Sequence, residues 1–463
     1  MAPSLQLSER FLMVLLVTTN VLNYIDRGIV PGAAGAFDSF IEGSDCAWGT
    51  SAAFGALTSA FIVGFSLASV VVGHLAHSVP PFKLCGVGLL IWCFSMVLAG
   101  LAKPLNSYTL LIAARALGGC GEAGFVTIGG PFIQDAAGAK QGLWLGIFYA
   151  AIPFGTALGY GYGAIVAETW TWAAAFYAQG VVILVPATLF LLSSDDGARI
   201  VDRDVRPPSV KEELNALRRA PTFHWTCLGY AGYSAAIIGF STFGPSIVVG
   251  LGLWSDQVEA SLAFSATLAV SGAVGTPLGG LALDAWSRRH TNKLASALDV
   301  ALACVAGGFV LIAPAAFCRD RGLFLASIAL GTLPLFAATA AMNVAVFEGV
   351  PRCHRAFGIA VATLLMHAFG DVPSPIIVGA LKDAWAPACA PDSHSRIGEA
   401  CGAGSDQRAH LQGITFGLCL YFGVSLLFFG VSRRKAGKAE AAPVDPAPTV
   451  TPLLDGGESK DVL

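Results

Sequence analysis

The chain has 463 residues, 55% of them hydrophobic and only 12% charged, with a mean hydropathy of +0.68 and a formal net charge of −3. Globular domains carry about 25% charged residues, so this composition excludes a soluble enzyme and describes an integral membrane protein. Apolar runs of the ~20 residues that cross a bilayer core fall at roughly 11–33, 51–75, 83–102, 108–135, 142–167, 171–192, 222–251, 260–283, 294–317, 322–347, 357–381 and 411–432, which predicts an all-α protein of twelve spans. No segment outside them is long enough to bury a core of its own. The first span lacks a short apolar region with a small-residue cleavage site, so it reads as a retained helix and not a signal peptide.

The first span carries Asn20 and then Asn23-Tyr24-Ile25-Asp26-Arg27. An acid and a guanidinium at that depth are costly in hydrocarbon and normally line a polar path or bind something. The fourth span holds Arg115-Ala-Leu-Gly-Gly-Cys-Gly-Glu122. Seven residues return almost to the same helix face, about 10 Å along the axis, so Arg115 and Glu122 share a stripe. Asp26 and Glu122 are candidate proton carriers, because a carboxyl titrates while an arginine keeps its charge. The other reading is static: Arg115 and Glu122 pair with Asp26 and Arg27 only to neutralise buried charge. In the fifth span Gly155, Gly159 and Gly163 recur every fourth residue, a spacing that permits close helix approach.

The longest polar interruption, 193–220, divides the chain into an N-terminal six-helix bundle (1–192) and a C-terminal one (221–432). Such a division lets one bundle rock against the other around a central site. Lys211-Glu212-Glu213-Leu214 to Arg219 reads either as an amphipathic helix or as a solvated linker. Candidate cavity groups in the second half are Tyr230, Tyr233 and Ser234 in span 7, Asn343 in span 10 and His367 in span 11. Polar side chains on spanning helices also bond neighbouring helices, so packing stands beside pocket lining for each. Asp371 precedes Pro373 and Pro375, which break the helix ladder, and is read as capping that break. The tail 433–463 is too poor in apolar residues to fold and is read as disordered; its Leu453-Leu454 lacks the upstream acid of a sorting signal.

With a cytoplasmic N-terminus, 19 of the 27 Lys and Arg fall on the cytoplasmic side and six on the other, Arg27 and Arg115 being intramembrane. This obeys the positive-inside rule and places both termini in the cytosol; a plasma membrane and an endolysosomal or vacuolar one are both compatible. Cys46, Cys318, Cys389 and Cys401 lie on the non-cytoplasmic side, where disulfides form, and Cys389 with Cys401 is a candidate staple. No Cys/His spacing suggests a metal, and no Walker or dinucleotide loop or N-glycosylation sequon is present. No cofactor and no nucleic-acid partner are expected, and no paired nucleophile and base supports a lipid enzyme.

The motifs Asn23-Tyr24-Ile25-Asp26-Arg27, Pro81-Phe82-Lys83-Leu84-Cys85-Gly86-Val87-Gly88, Arg115-Ala116-Leu117-Gly118-Gly119-Cys120-Gly121-Glu122-Ala123 and Pro131-Phe132-Ile133-x-Asp135 resemble those of spinster-type members of the major facilitator superfamily, in the manner of the plant and protist branch. Leu228-Gly229-Tyr230, Phe243-Gly244-Pro245 and Gly370-Asp371-Val372-Pro373-Ser374-Pro375 extend the resemblance over nearly all of 11–432. It implies a secondary transporter of sphingolipids or lysophospholipids, with Asp26, Arg27, Arg115 and Glu122 as proton and headgroup residues. One departure concerns gating. The superfamily's Gly-x-x-x-Asp loop after span 2 here reads Gly73-His74-Leu75-Ala76-His77, whereas the loop after span 8 keeps Gly280-Leu281-Ala282-Leu283-Asp284 with Arg288 and Arg289. The latch is therefore expected to be asymmetric, with His77 either a pH-sensitive replacement or a bystander in a drifted loop.

The resulting expectation is a monomeric, proton-linked carrier in which Arg27 and Arg115 hold an anionic lipid headgroup, with Asn23, Tyr24, Tyr230, Tyr233, Asn343 and His367 around it. A small organic anion or drug-like solute is the alternative cargo. A non-transporting receptor or scaffold is the alternative from another class, and the buried charges argue against it.

Overall fold

The computed structural model describes residues 7–76, 79–136, 141–193, 210–350, 355–392 and 396–440. The first half comprises α1 (Glu9–Gly32), α2 (Ala34–Glu42), α3 (Thr50–Leu75), α4 (Pro81–Ala102), α5 (Tyr108–Ala136), α6 (Gln141–Thr169) and α7 (Trp172–Leu192). The short α8 (Val210–Arg218) follows, and then α9 (Pro221–Gly250), α10 (Gln257–Ser287), α11 (Lys293–Ile312), α12 (Arg321–Glu348), α13 (Arg355–Met366), α14 (Pro373–Trp385) and α15 (Asp406–Glu440). Eleven helices among the described residues are long and apolar enough to cross a bilayer. The twelfth span is α1. Its 24 residues reach about 36 Å at 1.5 Å per residue, and what lowers its hydropathy is the polar set Asn20, Asn23, Asp26 and Arg27, three of which are buried inside the protein.

Helix pairing repeats between the halves. In the first, α3 and α4 pack on α5, α4 packs on α7, and α1 on α7; in the second, α10 and α11 pack on α12, α11 packs on α15, and α9 on α15. The halves meet chiefly along α3 against α14 and α6 against α10. Since the spans are even in number, both chain ends share one face, the terminal face, and the loop between α2 and α3 lies on the opposite face.

One expected break is present, and two departures from the sequence reading have physical causes. Span 11 is two helices joined by a π-turn, His367–Asp371, because Pro373 and Pro375 cannot complete the helix ladder. Asp371 does not cap that break: its carboxylate accepts from Ser234 Oγ and pairs with His367 Nδ1 at 2.6 Å, while Val372 N–H bonds His367 O at 2.9 Å. Lastly, α15 continues to Glu440, past the boundary set at residue 432, because Arg433 forms a two-bond pair with Asp299 (2.6 and 3.1 Å) and Ala436 is buried. The remainder of that tail, and most of the 193–220 linker before α8, lie outside the described residues.

The glycine series of α6 is a contact surface against α1. A Cβ on Gly159 would stand 2.3 Å from Ile25 O, and one on Gly163 2.4 Å from Ile29 O, so the backbones touch. A Cβ on Gly417 would meet nothing within 4 Å. Gly159→Ala is therefore expected to lower stability by about 1–3 kcal/mol through overpacking, while Gly417→Ala leaves it unchanged or slightly raised; melting curves in detergent compare the two.

Candidate functional site

Asn23, Asp26 and Arg27 of α1 face α5, and the two helices exchange their charges in two separate pairs. Arg115 donates through one terminal nitrogen to both Asp26 oxygens (3.0 and 3.1 Å), and Trp92 Nε1 donates to the same carboxylate at 3.3 Å. Seven residues on, Glu122 accepts from Asn23 Nδ2 at 2.5 Å and from Arg27 through both Nε (3.4 Å) and a terminal nitrogen. The shared stripe of Arg115 and Glu122 thus presents one cation and one anion to the anion and cation of α1.

The two pairs differ in access. The Asp26 side chain is 0% exposed and that of Arg115 3%. Glu122 is likewise sealed, but Arg27 is 23% exposed. Its guanidinium carbon lies 5.0 Å from the ring centre of Tyr24, 5.2 Å from Phe61 and 5.5 Å from Phe65. Arg115 also stands over Phe61, at 4.6 Å. One aromatic ring therefore supports both cations, an arrangement favourable for a guanidinium shielded from water. The Arg115 Nε is buried with no partner among the described residues.

Tyr24, Arg27 and Arg115 line a cavity of about 180 Å³ between the halves, closed on the other side by Ser241 and Thr242 of α9 and Phe264 of α10 among others. The remaining candidates stand elsewhere. Asn23 is spent on Glu122, and Asn20 on Phe148 O of α6 at 2.8 Å. Tyr233 is buried and donates to Leu335 O at 2.8 Å, which joins α9 to α12. Tyr230 lies beside Asn343, whose amide bonds Thr339 O at 2.9 Å in an exposed position. His367 packs edge-on against Phe65 with centroids 5.7 Å apart, and through Asp371 it reaches Ser234. Of the residues the sequence nominated for the pocket, three line it and the rest join helices around it. Phe61 and Trp92 carry as much of the site and were missed; an aromatic in an apolar span looks like any other, and only the fold places these two against charge.

On the terminal face, Asp284, Arg288 and Arg289 are exposed; Arg288 Nε bonds the Asp284 backbone oxygen at 3.3 Å. A Cβ on Gly73 or Gly280 would meet nothing within 4 Å. His77 lies outside the described residues. On the opposite face the halves are in contact: a Cβ on Gly55 would fall 2.2 Å from Pro375 O, and one on Gly379 2.1 Å from Ser51 O. A disulfide joins Cys389 to Cys401 beside that seam.

Two repeated helical halves, a cavity between them that holds two arginines, and close contact of the halves on one face define an alternating-access membrane transporter. The sequence profile of the Major Facilitator Superfamily matches residues 16–375. The chain is 33% identical over 410 residues to "Probable sphingolipid transporter spinster homolog 2" of Arabidopsis thaliana, covering 82% of each protein, and 29% identical to the Arabidopsis homolog 3 over 425 residues, covering 82% of this chain and 80% of the relative. Among solved structures, a bacterial homolog of the human lysosomal transporter Spinster, inward-facing and unoccupied, superposes with a TM-score of 0.75 at 17% identity, covering 94% of this chain and 99% of the other. The chain belongs to the spinster group of the Major Facilitator Superfamily.

Removing one member of a buried ion pair leaves an uncompensated charge, which costs about 3–5 kcal/mol. Arg115→Met is expected to destabilise the protein by that amount, and adding Asp26→Asn to recover most of the loss. Unfolding midpoints of the single and double variants check this. A double variant no more stable than the single would show that the pair is not what holds α1 to α5.

Proposed function

We propose that this transporter moves a single-chain amphipathic lipid with an anionic headgroup, a sphingolipid or lysophospholipid, and that a proton on Glu122 controls its grip. The observation that carries this reading is Arg27: a guanidinium held by a buried carboxylate yet turned partly into the cavity. An anionic headgroup offers it a second acceptor. Protonation of Glu122 cancels the charge that competes for Arg27 and frees the cation for the headgroup; return of the carboxylate reclaims it. A ligand shifts a two-state equilibrium only by its differential affinity, and a pair that breaks in one state and reforms in the other supplies that difference. Asp26 is held by a two-oxygen contact with Arg115 and a bond from Trp92, so that pair works as the frame and the Arg27–Glu122 pair as the adjustable element. The apolar lining beside these groups, Phe264, Leu268 and Phe336 among it, suits the first carbons of an alkyl chain next to the headgroup, and the names of the Arabidopsis relatives support the sphingolipid class. In this reading both termini are cytosolic, the carrier is a monomer, and the exposed Asp284, Arg288 and Arg289 meet the other half when the terminal face closes.

Uptake of labelled lysophospholipid, sphingoid phosphate and a small organic anion into proteoliposomes, with and without a pH gradient, separates the cargo classes. The lipids are expected to move and the organic anion not; transport of the anion alone would replace the lipid reading. Glu122→Gln should retain folding and lose gradient stimulation, since an amide does not titrate. Unchanged stimulation in that variant would remove Glu122 from the coupling role. Arg27→Lys should lower lipid transport by about tenfold, because a point charge does not reproduce a guanidinium fork on phosphate.

A further inference from the structure

On the face opposite the chain ends, the first turn of α3 lies against the last turn of α14. Its leading N–H groups, which have no acceptor within the helix, are met from the other half of the molecule: Asp383 accepts from Ser51 N–H at 2.9 Å and from Ala52 N–H at 2.8 Å. The N-cap residue of α3 is Gly49, which provides no side-chain bond. By contrast α10, α11 and α12 are capped by their own Asp256, Asn292 and Asp320. The nearby loop acid Asp45 cannot substitute, because it already accepts from Tyr108 N and Thr109 N at the start of α5. Gly49 itself makes room for the incoming carboxylate, since a Cβ there would stand 2.2 Å from Asp383 Oδ2.

Behind this contact lies a second charged group that the transport site does not use. Lys382 is 1% exposed. Its ammonium donates to Ser246 Oγ at 3.4 Å and stands 5.0 Å from the ring centre of Phe243. From the first half, Asp38 on α2 is also buried, its Oδ1 has no partner among the described residues, and its carboxylate interacts electrostatically with Lys382 and Asp383. A buried lysine and a buried aspartate thus come together from opposite halves at the closed seam.

We propose that Asp383 is the lock of this face: it caps α3 across the interface between the halves, with Lys382 and Asp38 as its buried charge balance, and the seam opens when that cap is released. The carboxylate both satisfies two N–H groups and meets the positive end of the helix dipole, and separating the halves removes both contacts at once. The proposal rests on the alternating-access fold and not on the identity of the cargo, so it survives if no lipid is carried.

The test uses the full chain carrying Thr58→Cys, a cavity-lining position on α3, in sealed vesicles exposed to a membrane-impermeant maleimide from the face opposite the chain ends. Mass spectrometry resolves labelling site by site, so the native cysteines need not be removed. Without substrate, Asp383→Ala is expected to raise the labelling rate at position 58 by about tenfold or more, as the loss of two charge-assisted bonds allows. Asp383→Asn, which keeps an acceptor oxygen without the charge, should raise it less. Asp284→Asn, which weakens the opposite latch, should lower it or leave it alone. Labelling at the parent rate in folded Asp383→Ala overturns the proposal. Should that variant not fold, the isosteric Asp383→Asn decides, and a rate equal to the parent's is again fatal.

Discussion

A carboxylate or guanidinium inside a membrane protein has no water to fall back on, so it either finds a partner or loses its charge. Here two acids and two arginines meet that condition by pairing α1 with α5, one pair about a heptad from the other, with Phe61 of α3 beneath both cations. Much of the first half follows from this. α1 tolerates Asn23, Asp26 and Arg27 because each is spoken for, and the aromatic set of Tyr24, Phe61, Phe65 and Trp92 exists to surround charge. The two pairs are chemically alike, yet the sealed one fixes a helix and the partly open one can be contested by a ligand. The difference between framework and function at this site is a difference in exposure of one guanidinium.

Packing divides the molecule along similar lines. Within the first half, glycines press the α6 backbone onto α1 so closely that a single methyl group would clash, which ties those helices into one body. Between the halves, apart from the glycine contacts and the Asp383 cap at the closed face, the bonds are of another kind. Tyr160 of α6 donates to Ser241 O of α9 at 2.6 Å, Ser261 of α10 to Gly32 O at 3.2 Å, and Ser59 of α3 to Val372 O at 2.6 Å. These are single hydroxyl-to-carbonyl bonds of modest net strength, easily exchanged for water, so the seam can open while each half moves as a unit. The π-turn in span 11 places an irregular backbone against α3 of the other half, on the seam, a kind of location at which such turns often serve function.

The fold was legible because its signals are long and redundant: apolar runs of bilayer length and a polar interruption at the middle. The four central charges were legible for the opposite reason, each being costly where it stands. Their pairing across α1 and α5 was among the sequence readings, since opposite charge matches Arg115 with Asp26 and Arg27 with Glu122. What the sequence did not show is that one pair is sealed and the other reaches the cavity. Tyr233 and Asn343 looked like pocket residues because a polar side chain on a spanning helix has the same signature whether it faces a cavity or a neighbouring carbonyl. Lys382 and Asp383 were passed over for the reverse reason: at the end of an apolar run, charged residues resemble an ordinary loop boundary, and no local pattern shows that the lysine is buried and the aspartate is borrowed by another helix.

The cavity beside Arg27 has a volume of about 180 Å³, small beside the roughly 300–1,000 Å³ of a pocket that encloses a whole small molecule. That is the size of a headgroup, not of a long hydrocarbon tail. Under the proposed reading, the tail of any lipid bound there lies outside the enclosed space, where one alkyl length is much like another. Cargo would then be sorted by its polar end. In the organism, the spectrum of transported species would be set by the enzymes that build and trim headgroups, while those that elongate or desaturate acyl chains would change the cargo with little notice from the carrier.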